Sequence, residues 1–509
     1  MDLKQRTSNT IKNSVVGIIA QSIQVLSSFI CRIVFVHVLN ESYLGINGLF
    51  GNVLSILSLG ELGIGSAITF ELYRSLAEGN TDETKSLMSF YRKAYRYIGV
   101  FIAFIGLLIF PFINHLVSLD HNVTANVYVL YALYLLDVVI SYFFSYKSSI
   151  IEASQQNYVT SVIHTKVIIA QNIAQSICLL ITRNFVLYLV IQVFCSIAYN
   201  VLVAKKADCL FPYLKERNIE EISIERKKNM FVNVKDIFIT NVSGKLVNST
   251  DNIIITALGG LSKTGLNSNY ALLYATLVTF TTKVQLGVKA SIGNVNAIES
   301  KERRIQLFNE IHFGFYWMYF WFTCCFILLV QDVIGLFFGN NYVMPFAVAV
   351  ITGLNFYSAE EGTVVTIFKE TMGLFSKGKF ISIATGIINI FLSIMLGRKY
   401  GVQGILVATF ISRLLTTRWY YPYVTFRYGF KHSSKQYFID ELRYWSEGLV
   451  IFCLSYYVCS QISFMSIYAL LLKLIICIIL PNIMILLFHI KDPNCISITN
   501  RIKRILFKP

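Results

Sequence analysis

The sequence predicts an all-α polytopic membrane protein of about fourteen transmembrane helices. Three observations lead there. Long apolar segments recur along all 509 residues, charged residues make up only 14% of the chain, and Lys and Arg collect in alternate gaps between the segments. Soluble domains average about 25% charged residues. A hydrocarbon core about 30 Å thick takes about 20 apolar helical residues to cross. Segments this long and this numerous do not fit the buried helices of a soluble core.

Taken in order, spans are expected at about 13–38, 44–70, 97–117, 123–146, 159–181, 184–204, 236–258, 267–292, 308–330, 344–368, 380–396, 402–423, 446–460 and 467–488. Residues 1–12 are polar, and the apolar run that follows is too long for the core of a cleaved signal. Of seven prolines, only Pro481 lies well inside a span, where it would kink the last helix.

The net charge of +16 raises the possibility of a nucleic-acid groove, but its placement points to topology instead. Lys4, Arg6 and Lys12 precede the first span. Arg74, Lys85, Arg92, Lys93 and Arg96 follow the second, and a basic group from Lys205 to Lys235 follows the sixth. Arg418, Arg427, Lys431, Lys435 and Arg443 continue the series near the twelfth. Of the 44 Lys and Arg, only Arg183, Lys263, Arg398 and Lys399 fall in the opposite gaps. Short Lys/Arg-rich loops stay in the cytoplasm, so both termini are expected inside.

Residues 1–204 and 236–430 read as two copies of a six-helix lobe. Leu62-Gly63-Ile64-Gly65-Ser66-Ala67-Ile68 ends span 2, and Leu286-Gly287-Val288-Lys289-Ala290-Ser291-Ile292 ends span 8. A charged stretch and an aromatic-rich helix follow each. Six spans per copy is an even number, so the copies form a parallel repeat about an axis along the membrane normal, a design that places substrate between the lobes. Residues 205–235 read as a cytoplasmic linker with a partly amphipathic stretch. Residues 431–509 hold two accessory helices and a tail.

Enzymatic chemistry is not expected. The ten Cys and seven His are scattered without CxxC or Cys/His spacing, so we expect packing residues and no metal site or cofactor. The outer gaps 39–43, 259–266 and 461–466 are tight turns, too small to hold acid/base carboxylates around a sugar. No P-loop or nucleophile elbow occurs, and no catalytic residue is assigned.

Charges inside spans are the functional candidates, because they are costly in lipid and usually face a cavity or a partner. Arg32 lies about 20 residues into span 1, with Gln21, Gln24, Ser27 and Ser28 before it. Aligning Gly45 with Gly265 sets Arg32 opposite Asn252, beside Asp251. Span 7 carries Lys245, Asn248, Asp251 and Asn252, and is the most polar of the chain. We expect Arg32, Lys245, Lys283, Asn248, Asn252 and Gln24 to line a cationic cavity for an anionic, sugar-bearing headgroup. Arg supplies a planar fork for phosphate oxygens, and the amides exchange hydrogen bonds with hydroxyls. The competing reading is a structural Arg32–Asp251 pair. Asp251, Asp137, Glu360, Glu361 and Glu61 are ion-coupling candidates; in the Glu360-Glu361 doublet, two adjacent carboxylates lie at depth.

The stretch Leu44-Gly45-Ile46-Asn47-Gly48-Leu49-Phe50, with Leu59-Gly60-Glu61-Leu62-Gly63-Ile64-Gly65-Ser66-Ala67-Ile68, resembles the first hairpin of bacterial polysaccharide-unit flippases. Asp251-Asn252-Ile253-Ile254-Ile255, followed by Gly259-Gly260, resembles the start of their second lobe. These flippases belong to the multidrug/oligosaccharidyl-lipid/polysaccharide exporter superfamily. The resemblance implies two bundles rocking around a central cavity in the bacterial cytoplasmic membrane. It also implies a polyprenyl-diphosphate-linked oligosaccharide substrate, flipped outward for capsule, O-antigen or exopolysaccharide assembly. A polysaccharide polymerase and other assembly proteins would then be partners alongside membrane lipids, and nucleic acid would not. Two alternatives stand beside it: a cation-coupled multidrug exporter of the same superfamily, and an integral-membrane glycan polymerase.

Overall fold

The computed structural model describes the backbone of residues 3–58, 64–117, 123–216, 222, 224–298, 300–462 and 466–507. Among these residues the chain is helical throughout its ordered elements. Among the described residues, nine helices are long and apolar enough to cross a membrane. Other expected spans coincide with interrupted or shorter helices, such as 344–368, which breaks at Gly362, and 402–423, which breaks at Thr416. The chain divides into two compact units, Met1–Gly265 and Leu266–Pro509.

The first unit contains α1 (Leu3–Val38), α2 (Glu41–Leu57), α3 (Ile64–Glu78), α4 (Thr81–Ile109), α5 (Ile113–Val117), α6 (Val127–Phe144), α7 (Tyr146–Ala153), α8 (Asn157–Thr182) and α9 (Phe185–Leu210), and it ends within α10 (Ile224–Ile298). The start of α4 lies well before the expected residue 97, for a local reason. Asn80 Oδ1 accepts from Glu83 N at 3.0 Å while Asn80 Nδ2 donates to Glu83 Oε2 at 3.1 Å. The first bond satisfies a free N–H of the helix end, and the second steadies the capping side chain, before the apolar run begins. At about 1.5 Å per residue, 29 residues extend past a 30 Å hydrocarbon layer.

Helices α1 and α8 pair along a polar seam. Asn13 Nδ2 donates to Gln155 O at 2.9 Å, and Tyr158 N donates to Asn13 Oδ1 at 2.8 Å. Further along, Asn172 Nδ2 donates to Ser27 Oγ at 2.9 Å and to Ser28 Oγ at 3.3 Å. In lipid such interhelical bonds hold helices together where the hydrophobic effect does not. At the far end Phe35 and Tyr43 both pack edge-on against Phe185, at 5.6 and 5.2 Å. The basic ends fold onto acids: Lys85 Nζ reaches Asp82 and Glu216 at 2.7 Å, and Lys147 reaches Asp208 at 2.6 Å.

Gly260 interrupts α10 with φ of +83°, a conformation that glycine adopts without penalty. The break falls between expected spans 7 and 8, within the turn anticipated at 259–266. Just beyond it, the backbone at Leu261 and Gly265 approaches the first turn of α2, and Ser262 Oγ donates to Glu41 Oε1 at 3.3 Å.

The second unit is organised on α11 (Lys301–Phe337), whose buried aromatics Phe308, Phe313, Tyr316, Tyr319 and Phe320 form the core. Around it lie α12 (Phe346–Glu361), α13 (Thr363–Thr371), α14 (Lys379–Tyr400), α15 (Val402–Leu415), α16 (Thr417–Val424), α17 (Lys435–Ser460), α18 (Ile467–Phe488) and α19 (Pro493–Phe507). The accessory helix α18 is fixed to α11 by polar contacts. Trp317 Nε1 donates to Asn482 Oδ1 at 2.6 Å, and Lys473 Nζ pairs with Asp332 Oδ2 at 2.7 Å. Arg501 of α19 pairs with Glu310 of α11. All ten cysteines are free, with Cys31, Cys324, Cys459, Cys477 and Cys495 buried.

Candidate functional site

Polar residues from α1, α2, α6 and α9 gather in the first unit. Arg32 is half-buried and lies in electrostatic reach of Cys31, Tyr134 and Tyr188. Tyr134 Oη donates to Asn47 Oδ1 at 2.6 Å, and Tyr134 also lies in electrostatic reach of Asp137. Gln192 Nε2 donates to Asp137 Oδ2 at 2.9 Å. Asp137 Oδ1 is buried without a hydrogen-bond partner among the described residues. The structure thus brings the expected cation Arg32 and the expected ion-coupling residue Asp137 to one neighbourhood, through tyrosines that sequence reasoning missed. An arginine flanked by phenols and an amide can hold phosphate or hydroxyl oxygens.

The other expected cavity residues distribute differently. Gln24 donates from Nε2 to Thr165 Oγ1 at 2.8 Å, so its amide belongs to the α1–α8 seam. The polar face of span 1 was legible; its partner, 141 residues away, was not. Asp251 and Asn252 are half-buried on α10 and engaged in polar contacts, and Asn252 O accepts from Thr256 Oγ1 at 2.7 Å. Lys283 is exposed on α10. The side chains of Lys245 and Asn248, and residue Glu61, lie outside the described residues.

The glutamate doublet splits between two environments in the second unit. Glu360 Oε2 accepts from Thr281 Oγ1 and Gln285 Nε2, each at 2.7 Å. Its neighbour Glu361 is fully buried and joins a four-residue cluster. His312 Nε2 lies 2.8 Å from Glu361 Oε1 and 3.1 Å from Glu441 Oε1. Arg418 bridges the second oxygens of the same two carboxylates, through Nη1 to Glu361 and Nη2 to Glu441. All four residues are at least nine-tenths buried, so an unpaired charge here would be costly.

Three members of this cluster were not legible as site residues. Arg418 reads as one more inner-side cation, and its partners lie 57 and 23 residues away. Glu441 sits in a segment that reads as polar connection. A signal for it exists nonetheless: Tyr437, Glu441, Tyr444, Gly448, Ile451, Ser455 and Cys459 recur at helical spacing, and all are buried on α17.

His312, Glu361 and Glu441 offer donor atoms within 4.8 Å of one another, close enough to hold a metal ion. The charge count does not favour a dication. Two carboxylates and Arg418 sum to −1, so one added positive charge gives a neutral cluster and two leave it at +1 in a dry site.

No protein-family model matches the chain, and no curated protein matches it. Among solved structures it is similar to the lipid II flippase MurJ in an inward closed conformation. That likeness has a TM-score of 0.68 at 13% identity and covers 94% of this chain and 99% of the other. An inward-facing multidrug resistance MATE family transporter of the MOP superfamily gives 0.59 at 13% identity, over 81% of this chain and 98% of the other. A mutant form of the Vibrio cholerae MATE transporter VcmN gives 0.55 at 11% identity, covering 84% and 99%. At these identities the likeness is one of fold, and it is the fold that the sequence resemblance implied.

Proposed function

We propose that this protein is a flippase that moves polyprenyl-diphosphate-linked oligosaccharide repeat units from the inner to the outer leaflet of the bacterial cytoplasmic membrane. The observation that carries this reading is the extent of the structural likeness. The flippase fold is followed over 94% of the chain, against 81% and 84% for the two multidrug transporters. The Arg32 cluster supports it further, since a cation among phenols and amides suits a diphosphate bearing sugars better than a cationic drug. In this reading the lobes 1–204 and 236–430, related by an axis along the membrane normal, rock between inward-open and outward-open states, 205–235 links them, and 431–509 adds the accessory helices. Lys245, Asn248, Asn252 and Lys283 are proposed to extend the headgroup cavity. Asp137, Asp251, Glu61 and Glu360 are proposed to serve coupling.

The test is reconstitution in proteoliposomes with a fluorescent polyprenyl-diphosphate glycan, scoring inner-leaflet label by protection from an impermeant quencher. Time-dependent movement of the label that Arg32→Ala abolishes supports the proposal. Protein-independent movement, or movement of cationic drugs instead, would reject it.

A further inference from the structure

We propose that the His312–Glu361–Glu441–Arg418 cluster is a binding site for a single exchangeable proton, reached from a cavity beside it, and that this proton fastens α17 to α11 and α12. Charge and geometry carry the inference. Arg418 occupies one oxygen of each carboxylate, and the two remaining oxygens converge on one nitrogen, His312 Nε2. The cluster therefore carries one uncompensated negative charge unless it holds a proton, and the imidazole, which both free carboxylate oxygens face, is where we place it. With that proton the count is two cations against two anions; without it, −1 is left where exposure is 10% or less.

Four helices supply the groups that face the cluster, with Phe426 of the following turn packed on Phe308 and Tyr437, and His489, paired with Glu447, packed on Tyr444. Helix α11 supplies His312 and the stacked ring of Phe308; α12 supplies Glu361 and Tyr357; α16 supplies Arg418; α17 supplies Tyr437, Glu441 and Tyr444. Two buried hydroxyls here, Tyr357 Oη and Ser358 Oγ, have no hydrogen-bond partner among the described residues. Tyr437 Oη lies close to Glu441 but outside hydrogen-bonding geometry. Buried polar groups are almost always satisfied, so such a group points to water or an ion beside it. A cavity of about 180 Å³, lined by Ser358, Gly362, Arg413, Thr417, Arg418 and Tyr437, lies beside the cluster. It is large enough for several waters, each needing about 10–15 Å³. A hydronium ion in the cavity gives one proton to His312 and leaves as water, and no electrons move.

The inference stands whether or not the substrate is a lipid-linked glycan, because its readout is proton binding and helix docking. The experiment is hydrogen–deuterium exchange of 435–460 in full-length protein in nanodiscs, from pH 5 to 10, corrected for intrinsic exchange. We expect protection of α17 to fall at least tenfold in one step as pH rises. His312→Gln should remove the step, and His312→Lys, which places a cation there, should hold α17 protected across the range. His164→Gln, in the first unit, should keep the step. Flat protection in the natural protein, or a step that survives in His312→Gln or His312→Lys, would overturn the proposal. Should His312→Gln fail to fold, the Lys variant decides alone.

Discussion

Gly45 and Gly265 back onto one another in a reciprocal crossing. A Cβ on Gly45 would strike the carbonyl of Leu261, and a Cβ on Gly265 would strike the carbonyl of Glu41 and come within 3.1 Å of Gly45 N. The two glycines are the pair that the sequence alignment of the two expected lobes sets together, and each meets the residue four positions before the other. The contact brings the two backbones closer than any side chain permits.

Replacing either glycine should therefore destabilise the fold, while glycines with open space around them should behave oppositely. Gly45→Ala and Gly265→Ala are expected to cost at least about 1–3 kcal/mol by overpacking. Gly17 and Gly51 lie in helices, and a Cβ added at either would meet nothing within 4 Å, so Ala there should gain about 0.5–1 kcal/mol. Thermal unfolding of the four purified variants in one detergent reads both signs.

The buried cluster of the second unit predicts a steep asymmetry within the glutamate doublet. Arg418→Ala leaves two buried carboxylates facing at most one cation and should cost about 3–5 kcal/mol. Glu361→Gln keeps Arg418 paired with Glu441 but weakens two charged hydrogen bonds, to Arg418 and His312, of about 1.5–3 kcal/mol each. Glu360→Gln keeps an acceptor for Thr281 and Gln285 and should cost about 1 kcal/mol or less. Comparable melting losses for Glu360→Gln and Glu361→Gln would remove the distinction between the two sites.

The α1–α8 seam separates structural from substrate-facing polarity. Asn172→Ala and Gln24→Ala each delete interhelical bonds, for which about 0.6 kcal/mol is typical and about 1.7 the upper range in membranes. Both should lower the melting temperature slightly and leave most transport intact. Arg32→Ala should do the reverse, lowering transport tenfold or more through loss of charged hydrogen bonds of about 1.5–3 kcal/mol, with a small effect on melting. Transport and melting measured on the same three preparations separate the roles.

Lys473 and Asp332 tie α18 to α11, with 14% and 29% of their side chains exposed. Lys473→Ala should loosen α18, and the exchange Lys473→Asp with Asp332→Lys should restore most of the loss. Proteolytic accessibility of the 461–466 connection reports it, and an exchange variant no better than the single one would deny the pairing.

The fold was legible because it follows from local and periodic signals. Runs of about 20 apolar residues announced most spans and alternating charge ordered the gaps, whereas the Asn80–Glu83 cap that starts α4 went unread behind the polar stretch before residue 97. The candidate site was legible only where chemistry announced itself alone, as with Arg32 and Asp137. Gln24 shows the limit. Its polarity was plain, yet an amide facing a cavity and an amide facing Thr165 on another helix look the same in sequence. Arg418 shows it more sharply, since a cation at a span end usually snorkels to water. Only the packing of α16 and α17 on α11 turns it inward.

The central claim, outward flipping of a lipid-linked glycan, is tested most directly by profiling such glycans in cells lacking the protein. Mass spectrometry is run with and without a membrane-impermeant oxidant. Complete single repeat units are expected to accumulate and to stay protected from the oxidant on the inner leaflet. Complete units that the oxidant reaches would mean that translocation had occurred without this protein, and would contradict it.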